Sequence, residues 1–70
     1  MATIRSARAL GVVPSANVIA RVRRLRGASL RGVLDSARDC LASEVPGVAQ
    51  LAREVLAAAL VTGVIEEVDL

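Results

Sequence analysis

The 70-residue chain has no histidine, no lysine and no aromatic residue, and it carries one cysteine and two prolines. Without His, and with Cys40 alone, the nitrogen and sulfur ligands of a zinc, haem or iron–sulfur site are missing, so neither metal nor cofactor is expected. The same absence removes histidine-based acid–base catalysis and Ser/Cys–His nucleophiles. The lack of Lys removes the phosphate-binding lysine of a P-loop and any Schiff-base chemistry. An enzyme is therefore the least expected class, and no catalytic residue is assigned. Missing Phe, Tyr and Trp also take away the platforms on which RNA-recognition and single-strand modules stack bases.

A lone cysteine forms no internal disulfide and gives no sign of an oxidising compartment. The longest uncharged segments, Ala9 to Ala20 and Val55 to Ile65, are shorter than the ~18 to 20 residues that cross a bilayer. Integral membrane insertion is not expected. No continuous apolar stretch of the signal-peptide kind precedes Arg21, and the expected address is cytoplasmic.

What remains is small, branched and basic. Residues 1–70 suffice for a single domain, whose core would be marginal because a chain of this size buries only roughly 60% of its unfolded surface. Apolar residues nevertheless make up 54% of the chain, with thirteen Ala, eleven Val and nine Leu. That is more apolar surface than one small core hides, which favours a homo-oligomer.

The periodicity predicts an all-α fold, a compact bundle of about four short helices. Thr3 caps a first helix through Leu10, which Gly11 ends in a left-handed conformation. Ser15 opens a second segment through Arg26, with Val18, Ile19, Val22 and Leu25 on one side and Gly27 as its stop. Ser29 caps a third, where Leu30, Val33, Leu34, Ala37, Cys40 and Leu41 recur at helical spacing and Cys40 reads as a small buried hydrophobe. On its opposite side Arg31 can pair with Asp35, and Asp35 with Arg38.

Pro46 starts a fourth helix whose stripe of Leu51, Val55, Leu56, Ala59 and Leu60 is the expected self-association surface. Ala49, Ala57, Ala58 and Val61 widen that stripe beyond one face, which suits a central helix or one that meets another subunit. Thr62-Gly63 breaks it. Residues 64–70 leave a short C-terminal strand and a frayed tail equally open, and a strand would most easily find its partner edge in another copy.

Charge is the organised signal. Residues 1–34 carry seven arginines and no acid, a side-chain charge of +7, whereas residues 35–70 carry two arginines against seven acids, a charge of −5. Such asymmetry points to a polyanion for the basic half, or to an acidic partner that could be the other half of a neighbouring copy. Arg5, Arg8, Arg21, Arg23, Arg24 and Arg26 are the candidate nucleic-acid contacts, since arginine binds phosphate through two parallel N–H donors.

Two stretches resemble known DNA-binding modules. Ala2-Thr3-Ile4-Arg5, then Ala7-Arg8-Ala9-Leu10-Gly11-Val12 and Pro14, resembles the start of the LacI-type helix-turn-helix headpiece, and Val33-Leu34 with Ala37-Arg38 is similar to its third helix. Asn17 and Arg21 stand where that family has valine and leucine, so the register departs by about one residue; generic helix-turn-helix geometry over residues 3 to 26 is the broader expectation. Val45-Pro46-Gly47-Val48 resembles the turn of helix-hairpin-helix modules, although Ala49 replaces the second glycine and a Pro-Gly helix start explains it more simply. The function expected from these residues is a small homo-oligomeric protein that binds duplex nucleic acid, DNA above all, through its Arg-rich half, as a helix-turn-helix-like regulator or an architectural factor. The alternative is a structural or adaptor module held together by its apolar fourth helix and its oppositely charged halves.

Overall fold

The computed structural model describes residues 2–70. Ser15 begins the first α-helix, α1 (Ala16–Arg24), as the sequence predicts: its Oγ accepts the Val18 N–H at 3.2 Å. Its own N–H donates to Glu54 Oε2 at 2.9 Å, which ties the start of α1 to the helix behind it. Removing that acceptor with Glu54→Ala should cost about 1 kcal/mol in urea denaturation, and Glu54→Gln, which keeps an acceptor oxygen, should cost less.

Leu25 and Arg26 then adopt extended conformations and end α1. The next helix, α2 (Gly27–Cys40), begins at once, with Gly27 at φ +56° turning the chain in a region that L side chains rarely enter. Gly27 therefore starts a helix, and the stop expected of it comes two residues earlier, at Leu25. Ser29 lies inside α2 and makes no capping bond, because the turn has already been made two residues earlier. Along α2 the Asp35–Arg38 pair forms at 3.2 Å between exposed side chains, and it is the only salt bridge among the described residues.

The third helix, α3 (Pro46–Val61), opens with Pro46, whose missing N–H is no loss in a first turn. It closes in a Schellman arrangement: Gly63 at φ +76° donates to Leu60 O at 3.2 Å, and Val64 donates to Ala59 O at 3.0 Å. Both α1 and α2 pack on α3 and scarcely on each other, so α3 is the central helix.

The expected first helix does not form. Thr3–Ile4 is a strand, β1, paired antiparallel with β2 (Val68–Asp69), with Thr3 opposite Asp69 and Ile4 opposite Val68. Ala2 and Leu70 exchange two further backbone hydrogen bonds at 3.0 and 2.8 Å, and Thr3 Oγ1 donates to Asp69 Oδ1 at 3.3 Å. This pairing holds Val68 in the core, and burial of one side chain of a β-branched pair outweighs the local helix preference of a segment of about two turns. Only a single 3-10 turn, Arg8–Leu10, remains of that helix, ended by Gly11 at φ +78° as its glycine foretold. The four-helix bundle is thus three α-helices and a two-stranded sheet, and residues 3 to 26 hold one α-helix instead of a helix-turn-helix. The C-terminal strand pairs within its own chain, not with a copy.

In α3, the successive residues Leu56, Ala57, Ala58 and Ala59 have no exposed surface. Four consecutive residues point to every side of a helix, so this half of α3 is wrapped all round. Its first half is not: Leu51, which lies seven residues before Ala58 on nearly the same side, is 56% exposed.

Candidate nucleic-acid interface

Val22 faces the core, and the helical period then places Arg21 and Arg23 on the two flanks of α1 and Arg24 on its outer side. All three are exposed and occupy the last turn, where cations complement the negative end of the helix dipole. Arg26 is exposed but engaged: its Nη1 donates to Arg23 O at 2.6 Å and to Leu25 O at 2.9 Å. It satisfies carbonyls that the end of α1 leaves open, so its guanidinium fixes the α1–α2 junction. The first turn of α2 follows with no acidic residue and no side-chain cap. The junction is a purely basic surface.

Arg5 and Arg8 stand apart from this cluster. The β1–β2 register, continued by one residue, sets Arg5 opposite Glu67. Arg8 lines a shallow apolar cleft with Val12, Pro14 and Val61, at the C-terminal end of α3. The acidic tail therefore folds back beside Arg5, and none of Arg21, Arg23 and Arg24 is ion-paired among the described residues. Arithmetic on the two halves of the sequence does not reveal this, since it depends on a strand pairing across more than 60 residues.

The five residues expected to mediate self-association are divided by the fold. Leu56 and Ala59 are wholly inside the chain's own core, Val55 and Leu60 are half-buried, and Leu51 alone is largely exposed. The stripe runs from the exposed Leu51 to Leu56 and Ala59, which have no exposed surface. Val48, three residues before Leu51, and Val33 of α2 are the exposed apolar residues that join Leu51 on the outside. Val33 shares its helical spacing with the buried Leu34 and Ala37 and yet stands exposed. Cys40 is a free, half-buried thiol in a groove between α2 and α3, and not the fully buried side chain expected.

Among the described residues no group of three His, Cys, Asp or Glu side chains is placed to hold a metal ion, and no helix is long and apolar enough to cross a membrane. No protein-family model matches the chain, and no curated protein or solved structure matches it.

Proposed function

We propose that the protein binds duplex DNA through the α1–α2 junction, by contacts to the phosphate backbone. The observation that carries this reading is the exposed set Arg21, Arg23 and Arg24, with no acid paired to any of them, beside a helix start that bears no negative charge. Each guanidinium offers a planar fork to phosphate oxygens, and the first turn of α2 adds the positive end of a helix dipole to the same surface. Arg26 holds the junction in shape from behind. Arg5 lies beside an acidic tail and Arg8 beside an apolar cleft, so both contribute less.

Phosphate contacts release counterions, and the count of contacts is read from salt dependence. The protein should retard duplex DNA at physiological salt, and Arg23→Gln or Arg24→Gln should each lower the log–log slope by roughly one unit, equally on unrelated sequences. Glu66→Gln, on the acidic tail, should leave the slope unchanged. Failure of the wild-type protein to retard DNA, or an unaltered slope in both arginine variants, would overturn the assignment.

A further inference from the structure

We infer that the open side of the three-helix packing, centred on Leu51, is the interface of a two-fold homodimer in which the α1 flank of one copy lies against the α2 flank of the other. This goes beyond DNA binding and does not depend on it; the two surfaces share Arg21 alone, and the phosphate contacts tested above are those of Arg23 and Arg24. Leu51 and Val55 stand between two grooves, one running along α1 past Val22 and Leu25 and one along α2 past Ala37 and Cys40. The ridge arises because α1 and α2 both pack on α3 and scarcely on each other, which leaves one side of the first half of the central helix open while Ala49 and Ala52 on its other side are buried. A ridge bordered by grooves complements a second copy of itself: the ridge of each chain enters a groove of the other, as an isologous interface requires.

The surface area leaves room for such an interface. The chain exposes 4664 Å², whereas a folded monomer of 7.3 kDa is expected to expose about 4,200 Å². The excess, about 500 Å² by difference, is of the order of the ~800 Å² that each partner covers in an interface of standard size. Leu51, Val48 and Val33, at 56, 40 and 37% exposure, are large apolar side chains that such an interface would cover.

Charge selects the orientation. Arg21 lines the groove on the α1 flank, and Asp39 lies on the α2 flank, one turn beyond the groove-lining Ser36. A two-fold axis across the ridge would set each flank against its own kind, and Arg21 against the partner's Arg21. An axis along the ridge sets each α1 flank against an α2 flank, so that Arg21 meets the partner's Asp39 twice over. Opposite charges favour the second arrangement, and like charges penalise the first.

Sedimentation equilibrium without nucleic acid, across the micromolar range, tests the proposal. The expected mass is twice 7.3 kDa for the wild type. Leu51→Glu and Val48→Glu, both at exposed positions, should return the mass to that of one chain with unchanged far-UV circular dichroism. Arg21→Glu and Asp39→Arg should each weaken the dimer several-fold, and the two together should restore it. A wild-type monomer at every concentration overturns the proposal and leaves the face to a different protein. So does a dimer that survives both glutamate substitutions. Single charge reversals without effect, or a double reversal that fails to restore the dimer, overturn the orientation.

Discussion

Replacing Leu56 with Ala should lower the free energy of unfolding by about 2 to 5 kcal/mol, and replacing it with Asp should leave no folded state. Leu56 is the largest of the four successive side chains in α3 with no exposed surface. Truncation leaves a cavity whose walls belong to elements already committed to packing on the same helix, so collapse cannot fill it. A 70-residue domain has in all only about 4 to 10 kcal/mol of stability, which makes one such cavity a large fraction of the total. In urea denaturation the midpoint should fall with little change in slope. Leu51→Ala in the same helix provides the contrast: a side chain 56% exposed in the single chain loses little burial on truncation, and its midpoint at low protein concentration should stay close to wild type.

Ala58→Leu should be destabilising by about 3 kcal/mol, although it adds apolar surface. Ala58 lies inside the fully wrapped half of α3 with no exposed surface, and the Glu54–Ser15 tie holds the start of α1 against the same side of the helix, one turn away. Extra methylenes there push α1 outward or force unfavourable rotamers. The thermal midpoint should drop by well over ten degrees, given the small unfolding entropy of a domain this short. If the drop were absent, the close approach of α1 to α3 would be wrong.

The positions of α1, α2 and α3 were legible because each signal is local. Ser15, Pro46 and the Thr62-Gly63 pair act within one turn, and the alanines that widen the α3 stripe mark a helix with neighbours on several sides. β1 was not legible. Thr3 and Ile4 are β-branched, but two such residues do not mark a strand on their own; they pair because Val68 and Asp69 lie opposite, a contact invisible to any window of ten or twenty residues. The same long-range pairing brings the acidic tail beside Arg5. Leu51 and Leu56 have the same sequence pattern and opposite surroundings, because which end of a central helix is wrapped depends on where its neighbours diverge.

The β1–β2 clasp also sets the order of folding. The helical contacts close shorter loops, such as the 39-residue separation of Ser15 and Glu54, but joining residues 3 and 69 fixes the ends of almost the whole chain, at an entropic cost on the order of 4 kcal/mol before any bond is made. Such a contact is worth making only once the helices already hold the ends near each other, so it forms after the rate-limiting step. Weakening it with Val68→Ala should therefore leave the folding rate nearly unchanged and speed unfolding, while the amides of Ala2 and Leu70 exchange with solvent long before those of α3.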